Sequence, residues 1–399
     1  MKSRLIFAVM LAMIFGSVAG QNSQVLYFMD LPQNHLLNPA LKSSNRVYVG
    51  IPGLTGFSFN ISNNFFNFSD IFTAGMEVSE NTIPFLDPDF DPAAFLDNIK
   101  NLNYLEPQAS VQLLGVGFTT RDDLYLFLDV IDRAEANVVF PRDLVRLAFL
   151  GNEEFINQTF DLSALRADIK YYREIGVGFS KNITPLLRIG AKAKLLYGIA
   201  SGSYRNDALN LTIEQDLSNK LIADMAVRVS GPLNFYLDPD NKIDDIKFDE
   251  SRFDSGRGIN NFLGNTKNPG FGLDLGAEYE ISDKVVVSAS VTDFGFIRWR
   301  SDITNLKGQA NASLKGIDFA DIRDGSATLD DLTGNLADSL MNALTFTETK
   351  EPFTTFLPFG VTVGGKYVVT DMFSVGLLSY SRISGGQLKE ALTLSANLN

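Results

Sequence analysis

Residues 268–300 read NPGFGLDLGAEYEISDKVVVSASVTDFGFIRWR, and their alternation decides the fold. On the first arm Phe271, Leu273, Leu275, Ala277, Tyr279 and Ile281 share one face, while Gly272, Asp274, Gly276, Glu278 and Glu280 share the other. Side chains on a strand alternate with period two, so this arm is a strand with one apolar and one polar side. Ser282-Asp283-Lys284 makes a short polar turn, and the return arm sets Val285, Val287, Ala289 and Val291 against Ser288, Ser290 and Thr292. Beyond Thr292 the phase blurs, as a bulge or a membrane edge would make it. Both arms exceed the mean strand of roughly 5–6 residues. They suit tilted strands crossing a bilayer, which need about 9–11 residues each.

The same pattern recurs. In Leu187–Tyr197 the residues Leu187, Ile189, Ala191, Ala193, Leu195 and Tyr197 oppose Arg188, Gly190, Lys192 and Lys194. Long arms also occupy 166–180, 207–215, 219–230, 356–370 and 372–384. Gly, Ser, Thr or charge on the less apolar face is what a wet lumen requires. The fold class expected is all-β: an antiparallel transmembrane β-barrel of roughly 12–14 strands, with short helices in loops and an N-terminal arm. Tyr171, Tyr172, Tyr197, Tyr279, Trp299, Tyr367 and Tyr380 stand toward arm ends, where aromatic girdles belong.

The chain opens with a basic start (Lys2, Arg4), an apolar run and a small-residue exit, which predicts a cleaved signal peptide over residues 1–20. Residues 21–45, with Pro32 and Pro39, read as an arm or hatch. Residues 46–399 read as the barrel, with insertions at 70–103, 237–266 and 301–352. The chain stops in LTLSANLN, apparently within a strand, which predicts further strands beyond it, because an open edge in lipid leaves backbone groups unpaired.

Absences narrow the chemistry. There is no cysteine and one histidine, His35. A Ser-His-Asp hydrolase would have to use that histidine, and no serine elbow accompanies it, so no enzyme and no catalytic residue is expected. Thiolate and multi-histidine metal sites are excluded, and no cofactor is implied. Asp87, Asp89 and Asp91 have calcium-loop spacing, but Pro92 and Asn98 stand where glycine and glutamate belong. The net charge of −13 argues against nucleic acid. Candidate lumen-lining residues are Arg188, Lys192, Lys194, Asp274, Glu278 and Glu280.

The signal peptide, LYFMDLPQNHLLNPAL (26–41), RVYVGIPGLTGFSFN (46–60), the 268–300 hairpin and LPFGVTVGGKYVVTDMFSVGLLSYSRI (357–383) carry a resemblance over the mature chain. The chain resembles an uncharacterised outer-membrane β-barrel family of gliding-type Gram-negative bacteria. It is distantly similar to FadL-type fatty-acid transporters and to the PorV and PorQ barrels of type IX secretion. The resemblance implies an outer-membrane location among lipid. It also implies a lumenal segment bearing Asn-Pro-Ala, matched here by Asn38, Pro39 and Ala40. Two functions are expected from different classes: binding or transport of a small hydrophobic ligand, with Asn38-Pro39-Ala40 as hatch, or service as a barrel partner of a secretion or surface-assembly system.

Overall fold

The computed structural model describes residues 25–52, 56–66, 92–314, 343–370 and 372–398. The expected signal peptide (1–20), residues 21–24 of the arm, most of the 70–103 insertion with Asp87, Asp89 and Asp91, and residues 328–342 of the helix-like stretch lie outside the described residues. No helix among the described residues is long and apolar enough to cross a membrane.

The chain is mostly antiparallel β. After the arm come β1 (Val47–Gly50) and β2 (Phe57–Asn63), separated where Pro52 removes a ladder donor. They are followed by α1 (Pro92–Asn98), β3 (Leu102–Thr119), β4 (Tyr125–Pro141), α2 (Arg142–Leu150), β5 (Thr159–Asp161), β6 (Arg166–Asn182) and β7 (Leu187–Ile213). Next are β8 (Asn219–Ser230), the β9 (Leu233–Leu237) and β10 (Ile243–Phe248) hairpin, and α3 (Gly256–Leu263). The 268–300 hairpin forms as β11 (Pro269–Ser282) and β12 (Val285–Trp299). β13 (Ile303–Leu314), β14 (Thr345–Thr349), β15 (Phe353–Phe356), β16 (Phe359–Thr370), β17 (Phe373–Ser384) and β18 (Gln387–Leu398) complete the chain.

The hydrogen-bonded path runs β1-β3-β4-β6-β7-β11-β12-β16-β17-β18, with β2 also on β3 and β15 also on β12. This path is shorter than the 12–14 strands expected. The arms at 207–213 and 219–230 leave it to pair with each other and with β13. The blurred phase after Thr292 is a bulge: the β11–β12 register shifts between Leu273 and Leu275, and Asp293 takes a left-handed φ of 61°.

The sheet curls until its ends touch. Arg382 on β17 bonds Glu106 of β3 (3.2 Å) and Glu135 of β4 (3.0 Å). Lys389 on β18 bonds the other oxygen of Glu106 and Asn137. Gly385 and Gly386, with φ of 56° and 74°, make the two-residue turn between β17 and β18, and a Cβ at Gly385 would strike the Asn137 amide at 2.1 Å. Among the described residues, β18 has no ladder to β1 or β2.

Burial is inverted. Lys192, Lys194 and Asp274 are each 1% exposed and Glu174 is 0% exposed, whereas Leu392 and Leu394 on β18 are 75% and 82% exposed. Outward Val177, Leu195, Leu275, Val363 and Leu377 continue the apolar exterior around the path. A bidentate Arg173–Asp132 pair (2.6 and 2.8 Å), joined by the Tyr171 hydroxyl at 3.1 Å, ends the apolar stripe of β4 and β6. The aromatic girdle needs correction. Tyr279 and Tyr367 are exposed near tight turns, but Tyr172 and Trp299 are buried because their strand parity faces them inward.

A second unit with an ordinary apolar core grows from the same strands. β7 runs past the curled sheet, and its second half joins β5 and β8, with β13 beyond. Phe155, Phe160, Leu211, Ile213, Leu306 and Phe346 form the core of this lobe. Fully burying each such side chain contributes about 1.5–3 kcal/mol. Phe346→Ala should cost the lobe about 3–5 kcal/mol. Hydrogen exchange should then accelerate in 219–230 and 303–314, while 269–299 stays protected.

Candidate functional site

The interior of the curl is filled by the chain's own N-terminal arm. Pro32–Leu36 forms one 3-10 turn, with proline where no amide donor is needed. Asn34, His35, Asn38 and Ala40 are buried. The strands leave room for this arm by carrying small inward residues. A Cβ at Gly190 would lie 2.2 Å from the Pro39 carbonyl, and one at Gly276 would lie 1.9 Å from the Asn38 side-chain oxygen. Ser180 donates to the Ala40 carbonyl at 2.8 Å, and Ser290 donates to the Leu37 carbonyl at 2.9 Å. Asn38 folds back to accept the Ala40 amide at 2.9 Å, which fixes the turn through Pro39. The Asn38-Pro39-Ala40 tripeptide therefore sits deep in the interior, against β6, β7, β11 and β12.

Beneath the arm lies a buried charge cluster. Lys192 reaches Glu174 (2.7 Å) and Asp129 (3.2 Å), and Lys194 reaches Asp293 (2.6 Å) and Asp274 (2.7 Å). Arg133 bonds the second oxygen of Glu174 at 2.9 Å. His35 couples arm to cluster. Its Nε2 is 2.8 Å from Asp129, and its Nδ1 is 2.8 Å from the Pro32 carbonyl, so both ring nitrogens face oxygen acceptors. Its position is that of a clasp between arm and wall.

The six lumen residues read from the sequence divide. Lys192, Lys194 and Asp274 meet in this cluster. Arg188 lies nearer the tight turns and bonds Asp123 at 3.1 Å, where Lys42 at the end of the arm bonds the other carboxylate oxygen. Glu278 is half-buried opposite Arg188 in the ladder, and Glu280 is exposed at the turn end, outside the buried lining. Missed from the sequence were Asp129, Arg133, Glu174 and Asp293, together with Glu106, Glu135, Arg382 and Lys389. The available signal was a charge at inward parity within a long strand, as at Lys170, Tyr172 and Glu174 of β6.

Two cavities bear on the site, one against the arm and one lined by the strands and their connections alone. One, about 490 Å³, lies between arm residues such as Gln33 and Leu37 and the β2–β4 wall. The other, about 780 Å³, opens beside the lobe and is lined by Lys170, Phe353, Leu357, Phe359 and the β17–β18 turn. The larger volume falls within the roughly 300–1,000 Å³ of small-molecule sites.

The match to known families covers residues 39–399, and its description is a family of unknown function, DUF5723. The chain belongs to this family. No curated protein and no solved structure matches, so the comparisons carry no link to the FadL-type transporters or to PorV and PorQ.

Glu174 touches three cations, so Glu174→Gln leaves buried charge uncompensated and should destabilise the fold by about 3–5 kcal/mol in denaturant unfolding. Acid should act elsewhere. The Lys42 hydrogen bond, with the Arg188 charge, holds the Asp123 carboxyl below its usual range. Its folded pKa is depressed, so this link is complete above the unfolded value of about 3.9 and lost as pH falls through the folded pKa. Protease cleavage within 42–46 should therefore be flat from about pH 8 to 5 and rise only below about pH 4. Asp123→Asn should raise it at neutral pH.

Proposed function

We propose that this protein is an outer-membrane β-barrel that binds or passes a small hydrophobic ligand, with the N-terminal arm as its hatch. The observation that carries this reading is the inversion: paired charges and a packed arm inside, apolar side chains outside. Lipid is the solvent that makes such an exterior favourable, and an apolar face of this kind is expensive in water. Short turns at 120–124, 183–186 and 283–284 alternate with long insertions at the other strand ends, the usual asymmetry of outer-membrane barrels. The arm enters from the short-turn side, since β1 pairs with the last residues of β3.

Closure of the barrel is part of the proposal. β18 runs antiparallel to β2, and Lys389 reaches Glu106, the ladder partner of Ser62. Lys389 then stands level with Ser62, and four residues on, Thr393 meets Ser58. Closure satisfies backbone groups that would cost several kcal/mol each if left unpaired in lipid. The chain lacks cysteine, so a Ser58→Cys/Thr393→Cys pair tests the seam directly. In outer membranes it should oxidise to an intramolecular disulfide and gain electrophoretic mobility, whereas pairs offset by several residues should not.

Ligand passage is tested by removing residues 21–42. The shortened protein should still insert, and should lose or exchange small hydrophobic molecules that the full chain retains on detergent extraction. Unchanged retention would count against the hatch.

The second reading, a partner of a secretion or surface-assembly system, is favoured by the lobe. The lobe carries an aromatic cluster, Phe248–Phe253–Phe262, with centroids 5.4 and 5.0 Å apart, beside the acids between Asp238 and Asp254. Deleting 238–266 should release such a partner while leaving the barrel folded.

A further inference from the structure

Three arginines share one sheet face at the mouth of the larger cavity. The β6–β7 ladder pairs Asp168 with Ser203 and Ala167 with Tyr204, which brings Arg166 and Arg205 opposite one another at its end. On the other side of β7, Ser203 pairs with Arg228 of β8. Residues opposite across a ladder, or two apart along a strand, lie on the same face. The three guanidinium groups therefore converge, and all three line the cavity of about 780 Å³.

Their acids are too few. Asp168 is taken by Arg205 at 2.6 Å. The two other carboxylates lining the cavity are also taken: Glu106 by Arg382 and Lys389, and Glu135 by Arg382 and Lys170. Arg166 has its Nε buried with no hydrogen-bond partner, and Arg228, exposed at the cavity's rim, is in no ion pair with an acid of the described residues. Like charges opposite one another in a ladder are destabilising unless a counter-charge sits between them. Phe353, Leu357 and Phe359 line the same cavity.

We propose that Arg166, Arg205 and Arg228 form an oxyanion site of the phosphate class, which holds the charged head of a ligand whose apolar part lies along Phe353, Leu357 and Phe359. Two uncompensated guanidinium groups match a doubly charged head, and their planar donors suit bidentate contact with phosphate oxygens. The apolar half of this assignment rests on the ligand-cavity reading above; the anion half stands on the arginines alone. The site faces the lobe side, so the ligand meets it before it meets the arm.

The experiment uses the full chain in lipid nanodiscs, titrated with inorganic phosphate, hexyl phosphate and hexanol. Hexyl phosphate should bind tightest, and inorganic phosphate should compete with it. Arg228→Gln, at an exposed position, and Arg166→Gln should each weaken hexyl phosphate by about tenfold or more, the effect of losing a hydrogen bond to a charged group, with hexanol unchanged. Equal binding of hexyl phosphate and hexanol, or hexyl phosphate binding indifferent to both substitutions, overturns the anion site while leaving the apolar cavity standing. Arginine-dependent binding of inorganic phosphate to which the hexyl chain adds nothing supports the anion site and overturns the apolar cavity. No binding of either phosphate compound overturns the proposal.

Discussion

A charge held inside a fold must find its counter-charge there, and this requirement organises the molecule. Glu174 on β6 receives Lys192 from β7 and Arg133 from β4, and it shares Lys194 with Asp274 and Asp293 from the next hairpin. Those groups sit on five strands that are consecutive in the ladder, and the curl of the sheet encloses them in one interior. Glu106 and Glu135 impose the same condition across the seam, where β17 and β18 supply the cations. Buried pairs of this kind contribute little net stability against an apolar alternative, yet removing one partner is costly. They act as locks on geometry, and on the proposed reading the apolar exterior supplies the driving force by meeting lipid.

The arm follows from the same condition. A polar interior either holds water or is filled by chain with matching donors and acceptors. Here His35, Asn38 and the carbonyls of Leu37 and Ala40 meet Asp129, Ser290 and Ser180, while Gly190 and Gly276 remove the side chains that would collide. Arm and wall are shaped for one another. The contacts that hold the arm are hydrogen bonds, the buried His35–Asp129 pair and the Lys42–Asp123 pair, a set separate from the strand ladders of the curled sheet.

Much of this was legible in the sequence because alternation is a local signal. Phe271, Leu275 and Tyr279 face out and Lys192, Lys194 and Asp274 face in, as their parity requires. Three things were not legible. Partner identity depends on which strands pair and in what register, so nothing near Glu174 in the sequence points to Arg133 or Lys194. The lobe was hidden because 207–213 and 219–230 alternate just as barrel strands do: alternation reports a two-faced strand and is silent on whether its apolar face meets lipid or a protein core. Depth was hidden as well. Glu278 and Glu280 share a parity, yet the second lies past the end of the enclosed interior.

The central claim is that the exterior of the curled sheet meets lipid while its interior is occupied by the arm. Fluorophore-labelled single cysteines at Leu275 and Leu394, and an unlabelled Ser290→Cys variant, all in native outer membranes, test both halves in one experiment. The account predicts that a lipid-soluble quencher reaches the labels at Leu275 and Leu394. It also predicts that the Ser290 thiol accepts a water-soluble reagent only after residues 21–42 are removed. Water-phase quenching at Leu275 and Leu394, or full reactivity of Ser290→Cys with the arm intact, would contradict it.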